Sequence, residues 1–186
     1  MWAPAGIGTA RSLVRQLSQD WQVAAIVSQQ SGRPFSVWNG APSTIVNGRN
    51  TGGDYNLDGG GGAVGGGFYD RPNAPAPGAI TTRFGRRDFL NGLFPASAFP
   101  APGLGQNGTL GRNTFRGPRF ASVDLSVGRS FSLREGWRIE FRAEAFNALN
   151  NVNLFLPNAD LSLASFGRST QAHDARTLQG SLRLSF

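Results

Sequence analysis

Residues able to do chemistry are few, and their spacing is informative in one place. Asp54-Tyr55-Asn56-Leu57-Asp58-Gly59 sets an oxygen ligand at every second residue and then a glycine, which is the first half of a D-x-N-x-D-G calcium loop. Alternating carboxylate and amide oxygens suit a hard cation, and the glycine allows the sharp turn that wraps them round it. The glutamate that would close such a loop is replaced by Gly65. Two readings follow: a Ca2+ loop using Asp54, Asn56 and Asp58, or an Asx-rich flexible loop.

His173 is the sole histidine, with Asp174 beside it. No Gly-x-Ser-x-Gly elbow supports a Ser-His-Asp hydrolase, so His173 reads as a solvated loop residue. With no cysteine, disulfides, thiolate metal sites and cysteine nucleophiles are excluded. The glycine runs Gly59 to Gly62 and Gly65 to Gly67 lack the Lys-Ser/Thr of a phosphate loop and the strand-helix setting of a dinucleotide fingerprint. No catalytic residue is expected, and no enzyme.

All 18 basic residues are arginine and the net charge is +7. That balance suits a polyanionic partner, nucleic acid or lipopolysaccharide phosphate. The arginines are dispersed along the chain, however, as arginine-rich codon usage would also give. Nucleic acid is not expected, because the recurring aromatic-Arg-Gly clusters of such binders are missing.

The elements that position these residues are strands. With 26 glycines and 11 prolines, a helical bundle is ruled out in favour of strands joined by long loops. Ala10, Leu13, Val14 and Leu17 share a helical face, predicting a short helix over Thr9 to Leu17. No apolar run reaches the roughly 18 residues of a transmembrane helix. From Asp20 the period becomes two, with Trp21, Val23, Ala25 and Val27 on one face, and Pro34 to Trp38 can continue as strand beyond a bend at Ser31-Gly32.

Three more strands follow. In Ala121 to Leu133, Val123, Leu125, Val127, Phe131 and Leu133 share a face with one charge, Arg129, expected near an end or a bulge. In Trp137 to Ala145, apolar residues alternate with Arg138, Glu140, Arg142 and Glu144, charges that could pair with Asp124 or Arg183. The last strand, Thr177 to Phe186, puts Leu178, Leu182, Leu184 and Phe186 on one face. Arg134-Glu135-Gly136 is expected to close a tight hairpin. Residues 39–120 form a long Gly/Pro-rich connection, expected to be an ill-ordered extracellular loop. Such length is unusual in a compact soluble domain but ordinary outside an outer-membrane barrel.

Strands of about nine to twelve residues match a bilayer crossed at barrel tilt, whereas soluble strands are commonly about five or six. Trp21 and Trp137 open their strands and Trp38 lies near the far end of the first, a placement suited to interfacial girdles. The outer face of a soluble sheet is the alternative.

Gly111 to Pro118, Val123-Asp124-Leu125-Ser126 and Phe141 to Asn150 resemble TonB-dependent outer-membrane receptors, most closely the Oar-like group. Gln30 to Phe35 and Ser165 to Arg168 are similar to the same C-terminal barrel, so the resemblance runs from about Trp21 to Phe186. It implies an all-β, antiparallel transmembrane barrel segment, an open curved sheet of four or five strands from a barrel of about 22. It implies outer-membrane location, contact with lipid and lipopolysaccharide, and energised uptake of a nutrient. It also implies that Asp70, before Arg71-Pro72-Asn73, could supply a late Ca2+ ligand. The terminal strand resembles the signal read by the barrel-assembly machinery, carried by Leu178, Leu182, Leu184 and Phe186, with Ser181 where that signal has glycine. No secretory signal, plug or TonB-contacting segment is visible. The chain, residues 1–186, therefore reads as the C-terminal part of a longer protein, with TonB contacted through absent N-terminal regions. A surface binding or adhesion protein without transport is the alternative.

Overall fold

The computed structural model describes residues 20–42, 45–46, 49–50, 52–58, 70–132 and 136–186. The helix expected over Thr9 to Leu17 lies outside them, as do the glycine runs and most of the Arg134-Glu135-Gly136 turn. The fold is all-β with very little helix, and the chain divides into two units.

The first unit takes its described residues from 1–28, 121–151 and 174–186. It is an open sheet of β1 (Trp21–Gln30), β6 (Phe120–Ser132), β7 (Arg138–Phe146) and β8 (Thr177–Ser185), in the order β1-β6-β7-β8. The antiparallel register sets Leu125, Val127, Arg129 and Phe131 of β6 opposite Ala145, Ala143, Phe141 and Ile139 of β7. Those four in turn face Leu178, Gly180, Leu182 and Leu184 of β8. Residues directly opposite in a ladder share a face, so the apolar positions of three strands merge into one surface. On the other face run the rows Ser126, Glu144, Gln179 and Ser130, Glu140, Arg183. A slip of one residue would bring Arg142 beside leucines, which is why this register is strongly specified.

The turn that leaves β7 is built by the Phe-Asn-Ala-Leu-Asn segment. Asn147 and Asn150 have φ of 48° and 52°, the left-handed region that asparagine tolerates better than most residues. The buried Asn147 side chain closes the turn: its Nδ2 donates to the Asn151 carbonyl at 3.0 Å and its Oδ1 accepts from the Asn151 amide at 3.0 Å. Its backbone N–H donates to Asp124 Oδ1 at 2.8 Å, and the Ser122 hydroxyl donates to the same oxygen. Asp124 is thus the anchor of this turn and not, as expected, a partner for the charges of β7.

Of the two places expected for Arg129, it lies near an end, three residues before Ser132, and not at a bulge; it is only 8% exposed. Its guanidinium lies 5.2 Å from the Trp21 ring centroid and 4.4 Å from that of Phe131. Aromatic faces offer a cation partial compensation for lost water, which lets the charge stay on an apolar face.

The second unit takes its described residues from 29–120 and 152–173. Its described residues within 39–120 are not the ill-ordered loop expected, because six of them join residues outside that segment in a core. Phe35, Val37, Phe89, Leu93, Phe94, Phe99, Leu110, Phe115, Leu154 and Phe166 are buried together. Phe94 is the hub, with ring centroids of Phe115, Phe99, Phe166 and Phe84 at 4.9, 5.0, 5.5 and 5.8 Å. Aromatic pairs at such distances add about 0.5–1.5 kcal/mol each beyond area burial. Its helical content among the described residues is two short pieces, α1 (Arg86–Asn91) and a 3₁₀ turn at Ala96–Ala98.

Short pairings hold the frame round this core. β2 (Pro34–Phe35) pairs with β5 (Phe115–Arg116), and β3 (Ile45–Val46) with β4 (Arg49–Asn50). Beside the first pair Gly32 and Gly117 pack so closely that a Cβ on Gly32 would run into the Gly117 carbonyl. Trp38 belongs to this unit, bridged in parallel to Asp160, so it does not extend β1 towards a girdle. The buried Asp160 carboxylate accepts from the Gly40 and Ser162 amides at 2.8 and 2.9 Å and from the Ser162 hydroxyl at 2.7 Å. Such charge-assisted bonds tie residues far apart in sequence.

Candidate functional site

The sheet presents the largest unsatisfied surface of the first unit. Val23, Leu125, Phe141, Leu178, Leu182 and Leu184 are exposed, Leu182 at 74% and Phe186 at 91%. Contiguous apolar patches of this kind are rare on soluble proteins because each such side chain loses about 1.5–3 kcal/mol when left in water. In the terminal strand Leu178, Leu182 and Leu184 are aligned on one face, and Phe186 stands with its ring 5.2 Å from Trp137. β8 pairs with β7 and, among the described residues, with no second strand.

The opposite face is polar and wet. Arg142 Nε lies 3.0 Å from Glu144 Oε1, two residues along the same strand, and donates to Ser126 Oγ at 3.3 Å. Glu140 stands opposite Arg183 in the register, the cross-strand placement expected for that arginine. Arg142 is half exposed, so its ion pair contributes little to stability; its significance is that charge of both signs fills this face while the other carries none but Arg129.

The Asx segment is brought together with Asp70, as the resemblance implies. Asp70 Oδ2 accepts from the Tyr55 and Asn56 amides at 2.6 and 3.0 Å. The Asp58 amide donates to Asp54 Oδ1 at 3.2 Å and to Asn56 Oδ1 at 3.1 Å, and Asn56 Nδ2 donates to Asp58 Oδ2 at 3.0 Å. Among the described residues no group of three or more His, Cys, Asp or Glu is arranged to hold a metal ion. What the geometry shows is a loop in which side-chain oxygens accept from local backbone N–H groups, the usual work of Asx turns.

His173 is exposed but not idle. Its ring stacks on Phe155 at 4.2 Å with 21° between planes, and Phe120 meets it edge-on at 5.1 Å. It lines a cleft of about 380 Å³ in the second unit. A larger cleft of about 810 Å³ in the same unit is lined by Arg83, Arg86, Arg116 and Arg119. This grouping was not legible in the sequence, because these arginines come from two segments thirty residues apart. The legible signal was local: in Arg83-Phe84-Gly85-Arg86 and Phe115-Arg116-Gly117-Pro118-Arg119, arginines flank aromatics that pack into or against the core.

A sheet with long alternating strands, one exposed apolar face and one charged face is the wall of a transmembrane β-barrel. Consistent with that class, residues 3–179 match the model of the outer membrane beta barrel domain family, and the chain belongs to that family. Its location is therefore the bacterial outer membrane. No curated protein and no solved structure matches the chain.

Proposed function

We propose that the chain is part of the barrel of a TonB-dependent transporter of the Oar-like group, serving energised nutrient uptake rather than catalysis. The observation that carries this reading is the two-faced sheet, whose apolar side suits lipid and whose Arg/Glu rows suit a water-filled lumen. Motifs that carry the resemblance hold structural posts: the Asn147 to Asn150 turn closes β7, and Gly117 packs on Gly32. The second unit would face the cell exterior. The free edge of β8, with Leu178, Leu182, Leu184 and Phe186, would be the edge offered to the barrel-assembly machinery, since an unpaired strand templates onto another sheet edge.

A surface binding protein without transport is the second reading. It is favoured by the second unit, whose core and clefts need no solute to cross the membrane. The DNA upstream of Met1 separates the two. Transport expects an open frame continuing upstream into further strands, a plug and a TonB-contacting segment. A stop codon directly upstream, with no such segment in frame, would contradict transport.

A further inference from the structure

The cleft lined by Arg83, Arg86, Arg116 and Arg119 gathers four fixed positive charges in a concave volume of about 810 Å³, with no acidic residue among the described residues of its lining. Among the described residues, none of these guanidiniums has an ion pair or donates a hydrogen bond within the chain. The acidic residue nearest in sequence, Asp88, has its carboxylate on the Gly85 amide at 2.7 Å. Like charges gathered on one concavity sum to a positive potential that favours an anion there.

These arginines are also positioned. Phe84 and Phe89 bracket Arg86 and pack in the core, at 6.0 Å from one another. Arg116 follows buried Phe115 and is held by the β2–β5 pairing opposite Pro34. The Gly117 amide, donating to the Arg33 carbonyl at 2.8 Å, pins the segment leading to Arg119. Two guanidinium pairs from separate segments thus frame one volume, of the size that encloses small ligands. Ser31 and Thr82 add hydroxyls, and Phe89 and Leu154 an apolar wall.

We propose that this cleft is a binding site for a ligand carrying two or more phosphate groups. Guanidinium is always charged and its planar fork matches phosphate oxygens in pairs. A phosphate presents three oxygens and can accept from forks on both segments at once, whereas a carboxylate presents two. Hydroxyl donors complete such a shell, and the apolar wall meets the ligand's remainder. The site does not depend on transport, because a surface binding protein would use it equally.

The test is calorimetric titration of the full chain, folded in detergent micelles, with inorganic tripolyphosphate, with citrate, and with lipid A as the phosphorylated lipid. Saturable binding of tripolyphosphate or of lipid A is expected, and whichever binds identifies the source as a soluble phosphate or a lipid headgroup. Arg116→Gln and, separately, Arg83→Gln should each weaken it roughly tenfold, the scale of one lost charge-assisted contact. Arg112→Gln, an exposed arginine outside the lining, should leave it unchanged. Citrate binding as tight as tripolyphosphate, equal loss in all three variants, or no binding of either phosphate would overturn the assignment.

Discussion

Asn147 illustrates how much one residue can hold. It occupies a left-handed backbone position, its amide group bonds residue 151 in both directions, and its own N–H reaches Asp124. Asn147→Ala keeps the strained φ and leaves buried donors and acceptors unpaired, so a loss of about 2–3 kcal/mol is expected. Urea unfolding in micelles measures it, and a change below about 0.5 kcal/mol, the usual size of a surface substitution, would contradict the role given to this turn. The Asx loop yields a second prediction at this scale. The carboxylates of Asp70 and Asp54 are already engaged by local amides, so titration with millimolar calcium should give no binding heat. A saturable heat lost in Asp54→Ala would instead make it a calcium loop. Neither arrangement was readable beforehand: D-x-N-x-D-G spacing is shared by ion-binding and self-bonded turns, and only the direction of each amide separates them.

Among the elements, the strands were legible and the second unit was not, for one physical reason. A half-buried strand writes a period of two into its sequence, so β1, β6, β7 and β8 fall within a few residues of their expected spans. The facing follows too, because a one-residue slip would carry Arg138, Glu140, Arg142 and Glu144 onto the apolar face. The segment 39–120 has no such period. Its order comes from phenylalanines at 84, 89, 94 and 99, a five-residue spacing that fits neither helix nor strand and looked like loop. The sheet supports a directional prediction. Leu182 lies on the apolar face and Ser181 on the polar one. Leu182→Arg should cost about 2–4 kcal/mol if it sits near the bilayer midplane, while Ser181→Arg should be near neutral. Folding titrations into lipid vesicles report both, and equal costs would contradict the assignment of faces.

For the whole molecule, an exposed apolar sheet face and a β8 edge that is open among the described residues are liabilities in water and assets in a membrane. They explain why a chain of mean hydropathy −0.25 can belong to a membrane wall: half of each strand faces water and the connections are polar. No helix among the described residues is long and apolar enough to cross a bilayer. The central claim is that the apolar face of β1, β6, β7 and β8 meets lipid. It is tested most directly by expressing the full chain and asking where it partitions after washing membranes with alkaline carbonate. Retention in the membrane pellet and release by detergent alone are predicted; recovery of folded protein in buffer without detergent would contradict the account.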